Sequence, residues 1–333
     1  MNPLLFMQLL SKIQFYNSNT SYIINPAKGK PYFISHKIPK GGAHMHLIEA
    51  KSILSAKNGM NLTRGCVHGC IYCDSRSACY QMDHAFEDVA VKANALPLLE
   101  NALRRKRKRC MLGTGSMSDP YMPISEVLES TRGALKLAHK YGFGFTLITK
   151  SDLVLRDLDL LTAINNDTKC VVQMTLTTAN DTLCKKLEPN VSATSERIHA
   201  LCTLRDAGIP TVVWLSPFLP FINDTVANLR ALLDACITAQ VRGIICFGIG
   251  MTLREGNREY FYAQLDRLFP GMKERYIRTY GNQYQITSPN HARLMPLFHQ
   301  ICAAHDILHH PEDVFAFLTE FDVPPEHEQQ SLF

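Results

Sequence analysis

Residues 64–73 have the sequence Arg64-Gly65-Cys66-Val67-His68-Gly69-Cys70-Ile71-Tyr72-Cys73. The three cysteines follow a C-x-x-x-C-x-x-C spacing, with a glycine before each of the first two. Two glycines in so short a segment favour a loop over a regular helix or strand. Cysteine thiolates are soft ligands that suit iron–sulfur clusters or zinc. We therefore predict a loop that wraps a metal centre through Cys66, Cys70 and Cys73.

The number of local ligands separates the possible metal centres. A closed zinc or iron–sulfur site takes about four protein ligands, and only three lie in this loop. If no fourth ligand arrives from elsewhere, a cubane cluster keeps one iron open for a small molecule. A zinc site would need a second ligand pair at finger-like spacing, whereas Cys79 and His84 stand alone. The third alternative is that the cysteines are simply small buried residues.

Composition indicates an ordinary globular protein. The chain has 333 residues, of which 46% are hydrophobic and 20% charged, enough for one large domain with an appendage or two modest domains. A net charge of +5 permits a polyanionic partner without requiring one. Eleven cysteines without a regular framework fit a reducing compartment. No run approaches the about 18 apolar residues of a membrane span, so we expect a cytoplasmic protein with no membrane partner.

Residues 1–44 differ from the rest and are expected to form an N-terminal extension. They show no sustained hydrophobic period and contain no cysteine. Lys40-Gly41-Gly42 lies just ahead of Met45, and the codons for these residues resemble a bacterial ribosome-binding site. Our hypothesis is that Met45 is the natural start and that residues 1–44 are not native. The alternative is a genuine, loosely ordered extension.

Residues 45–250 alternate between strand and helix patterns. Six strands are predicted, at Ser52–Ala56, Cys110–Gly113, Gly144–Thr149, Cys170–Thr175, Pro210–Leu215 and Gly243–Phe247. Helices are predicted at Ala85–Arg107, Ile124–Tyr141, Arg156–Asn165, Thr194–Asp206 and Val226–Ala239. This alternation implies right-handed crossovers and a parallel sheet. We predict an α/β fold of the TIM type, as a partial, open (βα)6 barrel whose chemistry lies at the carboxyl ends of the strands.

Residues 251–333 are predicted to form a helical C-terminal region that covers the barrel or shapes its substrate side. Its helices are expected near Arg258–Leu268, His291–Ala304 and Pro311–Phe321. His305, His309 and His310 in this region could bind a metal, but their position in a helical tail favours surface or capping residues.

The cysteine loop resembles that of the radical S-adenosylmethionine (SAM) superfamily, and further motifs resemble the spore photoproduct lyase group. These motifs are Ser118-Asp119-Pro120-Tyr121, Ile148-Thr149-Lys150-Ser151, Thr175–Thr178, Glu188-Pro189 and Ser195-Glu196-Arg197-Ile198. The resemblance implies a [4Fe-4S] cluster on Cys66, Cys70 and Cys73, with SAM on the open iron. It also implies an electron donor such as flavodoxin or ferredoxin.

The resemblance also implies contacts to SAM. Tyr72 would lie against the adenine, Ser118 and Thr175 would bond the methionine or ribose part, and Lys150 would pair with the methionine carboxylate. The alternatives are core packing for Tyr72, turn or cap roles for the hydroxyls and a solvated surface position for Lys150. No catalytic residue is assigned.

Two departures separate this chain from a true spore photoproduct lyase. The cysteine that donates hydrogen in that group is Ser116 here, and an O–H bond is too strong for the same role. The tyrosine expected after the third cluster cysteine is Asp74. We therefore expect lyase-like or other radical chemistry with a different final step or a different substrate, for which nucleic acid is one candidate.

A hypothesis of another class is a regulatory or nucleic-acid-binding protein that holds zinc or a closed cluster and never cleaves SAM. It relies on the basic run Arg104-Arg105-Lys106-Arg107-Lys108-Arg109, which could contact phosphates. A solvated helix end is the other explanation of the run.

Overall fold

A computed structural model of the chain describes residues 44–321 and two earlier strands, Thr20–Ile24 (β1) and Pro31–Ser35 (β2). These two strands pair antiparallel. Apart from them and His44, the extension predicted over residues 1–44 lies outside the described residues. The hypothesis of a start at Met45 therefore stays a prediction.

The other strands follow in chain order. They are Met45–Ile48 (β3), Gly59–Met60 (β4), Thr63–Arg64 (β5), Val89–Lys92 (β6), Met111–Thr114 (β7), Gly144–Thr149 (β8), Cys170–Thr175 (β9), Thr211–Trp214 (β10), Gly243–Ile245 (β11), Gly250–Thr252 (β12) and Gln285–Thr287 (β13). Six of them form a parallel sheet in the order β11-β10-β9-β8-β7-β4. In the described part β4 and β11 are its edges and do not pair with each other, so the predicted open, partial barrel is confirmed.

Helices connect these strands and continue beyond them. They are Ala95–Arg105 (α1), Ser125–Lys140 (α2), Leu158–Asp167 (α3), Asp181–Leu187 (α4), Thr194–Asp206 (α5), Val226–Thr238 (α6), Asn257–Leu268 (α7), Met272–Tyr280 (α8), His291–Ala304 (α9) and Pro311–Thr319 (α10). Short 3-10 turns occupy Asp74–Arg76, Ala78–Tyr80 and Asp152–Asp157. In the described part, no helix is both long and apolar enough to cross a lipid bilayer.

The main sheet buries both of its faces. Alternate strand residues point to opposite sides. One set, which includes Phe145, Val172 and Val213, packs against the surrounding helices in the main core. The other set, Met111, Val171, Val212 and Ile245, packs against Val314 and Leu318 of α10. α10 therefore covers the inner face of the open barrel.

Two sequence predictions were wrong in detail. No strand forms over Ser52–Ala56, where Leu54 makes only an isolated bridge to Met60, and the edge strand of the sheet is Gly59–Met60 instead. The helix predicted over Ala85–Arg107 is shorter, because Val89–Lys92 pairs with β3 and β5 before α1 begins. Val89, Ala90 and Val91 are all buried, as expected of a strand covered on both faces.

The region beyond residue 250 is not purely helical. β12 and β13 form an antiparallel ribbon that was not predicted. Tyr72 and Phe261 share a second apolar cluster, which joins α7 and α8 to the end of the cysteine loop. Phe298 and Cys302 of α9 belong to the main core.

Candidate active site

The cysteine loop follows β5 and has a backbone course that requires glycine at two positions. Gly65 has a φ of +84°, and a Cβ atom there would lie 2.6 Å from the carbonyl oxygen of Phe86. The backbone N–H of Cys66 donates to that same oxygen at 2.8 Å. Gly69 has a φ of +67°, and a Cβ atom there would meet the ring of Pro189 at 3.2 Å. Residues with a side chain rarely adopt such φ angles, so the backbone course of the loop depends on both glycines.

The turn after α4 anchors the loop from the other side. Asn190 donates its backbone N–H to the carbonyl of His68 at 3.1 Å and its side-chain Nδ2 to the carbonyl of Val67 at 2.8 Å. The N–H of Ile71 donates to the carbonyl of Leu187 at 2.9 Å. Three loop residues are thereby held by a segment far away in the sequence.

The loop thiols differ in burial, and burial keeps two of them protonated. Cys66 and Cys70 are buried, and Cys73 is partly exposed. Burial raises the pKa of the Cys66 thiol to about 12, and the charge of Asp119 adds to the effect. Burial likewise raises the pKa of Cys70 well above its usual range. Because the thiolate is the ligating form, such thiols ionise when a metal binds.

The spacing of the three sulfur atoms bears on the kind of metal. Within residues 44–321, the loop cysteines are not among the groups whose three ligand atoms all lie within 4.8 Å of one another. One tetrahedral zinc ion with bonds of about 2.3 Å would need sulfurs roughly 3.8 Å apart. A cubane cluster accepts wider spacing, since each thiolate binds a different iron. The described spacing therefore does not gather the three sulfurs around a single zinc ion.

A buried ion pair fixes Tyr72. The Tyr72 hydroxyl donates to Glu188, whose other oxygen pairs with Arg197, and neither member of that pair is exposed to solvent. Burial opposes the charge of Glu188, but Arg197 and Lys150 lower its pKa overall. Arg197 also donates to the carbonyl of Thr175 at 2.7 Å. The ion pair therefore connects the cysteine loop to the end of β9.

Asp119 connects three further segments. It accepts hydrogen bonds from the Thr149 hydroxyl at 2.7 Å and from the backbone N–H groups of Lys150 and Tyr121 at 2.8 and 2.9 Å. Nε2 of His68 lies 3.1 Å from its second oxygen. Although burial opposes ionisation, His68 and these hydrogen bonds lower the pKa of Asp119 to about 2. The buried, ionised carboxylate thus holds the cysteine loop against the ends of β7 and β8.

Ser118 has partners within the protein. Its hydroxyl donates to the carbonyl of Gly65 at 2.5 Å and lies 2.6 Å from the hydroxyl of Thr63. These contacts account for a buried serine here without a ligand. Its assignment to SAM stays a prediction.

A cavity of about 450 Å³ opens at the carboxyl ends of the sheet strands. This volume is in the usual range for a small-molecule site. Its lining includes four of the predicted site residues, Tyr72, Cys73, Lys150 and Thr175, and also Ser116. Cys66, Cys70 and Ser118 do not line it. The cysteine loop therefore meets this cavity through Cys73.

Lys150 provides positive charge in the cavity wall. Its Nζ lies 6.0 Å from the centre of the Tyr72 ring. Burial disfavours the ammonium, but Cys70, Glu188 and Cys73 raise the pKa of Lys150 overall. A charged lysine at this position can pair with a bound carboxylate.

Three residues that had no predicted role also line the cavity, Trp214, Phe247 and His291. Phe247 is 63% exposed, and its ring centre lies 6.0 Å from that of Trp214. His291 accepts a hydrogen bond on Nδ1 from the N–H of Ile249 at 3.2 Å. The aromatic pair could have been found from its place at the ends of two predicted strands. His291 could not, because it reaches the cavity from α9.

The basic run lies away from this cavity. Residues 104–109 end α1 and lead into β7, whereas Gly115 and Ser116, which line the cavity, follow β7. The run is therefore at the amino end of a parallel sheet whose cavity is at the carboxyl end. Arg104 is paired with Glu100 and donates to the Tyr141 hydroxyl at 2.9 Å.

Comparison with known families identifies the superfamily of the chain. A family model described as the radical SAM superfamily matches residues 60–260, which include the loop, the sheet and most of the cavity wall. The chain belongs to the radical SAM superfamily.

Relatives of this radical SAM protein are found in bacteria, archaea and phages. It is 28% identical over 229 residues to an uncharacterized protein of Mycobacterium tuberculosis (strain ATCC 25618 / H37Rv), and the match covers 66% of each chain. It is 34% identical over 179 residues to an uncharacterized protein of Methanocaldococcus jannaschii, covering 53% of this chain and 66% of the relative. The matches thus span just under two thirds of these relatives. It is also 24% identical to the radical SAM Nalpha-GlyT isomerase of Pseudomonas phage M6, over 51% of this chain and 35% of that protein.

The fold is similar to that of spore photoproduct lyase. The structure of that enzyme complexed with dinucleoside spore photoproduct superposes with a TM-score of 0.59 at 12% identity, covering 80% of this chain and 81% of that one. At this identity the similarity establishes the fold and not the reaction.

Proposed function

We propose that this radical SAM protein is an enzyme that holds a [4Fe-4S] cluster on Cys66, Cys70 and Cys73 and cleaves SAM reductively. The observation that carries the proposal is the course of the loop, which is buried at Cys66 and Cys70 and reaches the cavity at Cys73. When bound, the cluster and SAM would supply a 5′-deoxyadenosyl radical that abstracts hydrogen from a substrate.

The chain's own residues would bind and orient SAM. Lys150 carries the positive charge that a methionine carboxylate requires, and Tyr72 offers its ring while Glu188 holds its hydroxyl. Thr175 is placed at the cavity by β9, and its carbonyl is held by Arg197. Rigid support of this kind keeps reacting groups aligned and limits the entry of water.

We propose further that the substrate presents a nucleic-acid base. Phe247, which is 63% exposed, and the half-buried Trp214 both line the cavity, and such rings stack on bases without regard to sequence. The dinucleoside bound to spore photoproduct lyase, whose fold is similar, favours the same class. Ser116 in place of a hydrogen-donating cysteine argues against repair of thymine dimers by the lyase route.

The test is SAM cleavage. The protein is reconstituted anaerobically with iron and sulfide, reduced with dithionite in place of a flavodoxin or ferredoxin, and given SAM. We expect 5′-deoxyadenosine and methionine in equal amounts, and no product from the C66A/C70A/C73A variant. With a deuterated oligonucleotide as substrate, deuterium should appear in the 5′-deoxyadenosine. A full cluster without SAM cleavage would favour the regulatory metal-binding alternative.

A further inference from the structure

Three histidines come together where α9 meets the segment before α10. His299 lies in α9, while His309 and His310 precede α10. Ring centres are 4.5 Å apart for His309 and His310, 5.3 Å for His299 and His309, and 5.7 Å for His299 and His310. One ring nitrogen of each can be chosen so that all three lie within 4.8 Å of one another. His305, which the sequence grouped with His309 and His310, is exposed and is not in this group.

The hydrogen bonds leave ring nitrogens available for a ligand. Nδ1 of His309 lies 2.8 Å from the carbonyl oxygen of Ile307. A carbonyl only accepts, so Nδ1 carries the proton and Nε2 keeps its lone pair. Metal-binding histidines are commonly oriented by such a bond on the other nitrogen. Nδ1 of His299 is buried and has no hydrogen-bond partner in the described part of the chain.

The alternative explanation is a stack of aromatic rings. His299 and His310 are stacked with an angle of 20° between their planes, and Phe298 lies edge-on to His309. Stacking explains ring contact, but it does not satisfy a buried ring nitrogen.

We propose that His299, His309 and His310 bind a zinc ion, with water as the remaining ligand. Zinc takes imidazole nitrogens at about 2.0–2.1 Å, which places the three nitrogens roughly 3.4 Å apart. The three nitrogens now lie within 4.8 Å of one another, so binding one ion requires the side chains to rotate toward a common point. Imidazole donors suit zinc, copper, iron and nickel, and three histidines with one water form a common tetrahedral arrangement for zinc.

Such an ion would fasten α9 to the start of α10. The same short helix covers the inner face of the sheet through Val314 and Leu318. Its Phe315 ring lies 6.2 Å from the ring centres of both Phe247 and Trp214. The zinc site would therefore hold one wall of the cavity in place without contact with SAM or the cluster.

The test is metal analysis of the whole protein with its cluster in place. After incubation with zinc chloride and dialysis against metal-free buffer, we expect about one zinc per chain in addition to the cluster iron. Zinc K-edge X-ray absorption should show three nitrogen neighbours at about 2.0 Å and no sulfur. The H309Q/H310Q variant should lose at least 90% of the zinc while its iron content is unchanged, and H305Q should keep both.

A protein without bound zinc, sulfur neighbours around the zinc, or equal loss in H305Q would overturn the proposal. Zinc should also raise the melting temperature of the unaltered protein and of H305Q but not that of H309Q/H310Q. None of these measurements depends on SAM cleavage, so this proposal and the proposed activity can fail separately.

Discussion

Asn190 donates a hydrogen bond of 2.8 Å from its side chain to the carbonyl oxygen of Val67, between the first two loop cysteines and 123 residues away along the chain. Its backbone N–H holds the next carbonyl, that of His68. One residue thus fixes the direction of the peptide groups on which the positions of Cys66 and Cys70 depend.

Replacing this anchor should weaken the cluster without unfolding the protein. In Asn190→Ala the Val67 carbonyl loses its partner, so the loop gains freedom and the thiols are less well placed. We expect lower iron and sulfide per chain after reconstitution and faster bleaching of the cluster in air. Asn165→Ala is the matched control, since Asn165 makes a similar bond to Gly208 away from the loop. Equal cluster loss in both variants would contradict the role of Asn190.

Replacing only one member of the buried Arg197–Glu188 pair should lower the stability of the protein markedly. Arg197→Met leaves the Glu188 carboxylate buried without its cation, and the free energy of unfolding should fall by about 3–5 kcal/mol in urea titrations. The double variant Arg197→Met/Glu188→Met should lose less than the single one, because no buried carboxylate is left without its guanidinium partner. Arg205→Met, at a partly exposed pair with Asp206, should lose far less. A double variant that is less stable than the single would refute this explanation.

Sequence predicted the architecture well where hydrophobic patterns are long. The strands Gly144–Thr149 and Cys170–Thr175 lie where they were predicted, because each is six residues of mostly buried side chains. Gly59–Met60 has only two residues, too few to show any period, and the Ser52–Ala56 strand was predicted in its place. A short edge strand forms because it pairs with its neighbour, and the local sequence pattern does not show that pairing.

The site shows the same division. The spacing of Cys66, Cys70 and Cys73 predicts a metal-binding loop, because the three cysteines lie within one short segment. The motifs that contain Glu188 and Arg197 were recognised in the sequence. Only the fold shows that these two residues pair with each other next to Tyr72. His299 and His309 are ten residues apart. The chain turns after α9 and brings them together, and helical periodicity does not predict such a turn.

Asp119 should make stability depend on pH. Its pKa in the folded protein is about 2, below the usual 3.8, so its contribution is fully present above about pH 4 and is lost as the pH falls through 2. The shift corresponds to about 2 kcal/mol. In urea titrations of the cluster-free protein, the stability difference between the unaltered chain and Asp119→Asn should shrink by this order from pH 5 to pH 2. A difference independent of pH would show that Asp119 is not the titrating group.

Phe247 should contribute to substrate affinity rather than to folding. It is 63% exposed, and loss of one base-stacking ring costs about 1–3 kcal/mol. Phe247→Ala should therefore weaken binding of a single-stranded oligonucleotide by roughly 5- to 150-fold, measured by fluorescence anisotropy at fixed salt. Ile277→Ala, at an exposed apolar residue outside the cavity lining, is the control and should bind normally. Unchanged affinity in Phe247→Ala would exclude stacking on this ring.

The most direct measurement is electron paramagnetic resonance of the reduced cluster with isotopically labelled SAM. If Cys66, Cys70 and Cys73 leave one iron without a protein ligand, SAM carrying ¹⁷O in its carboxylate and ¹⁵N in its amino group should show hyperfine coupling of both labels to the cluster. A reduced, fully loaded cluster whose spectrum SAM does not change, with neither label coupled, would contradict the account.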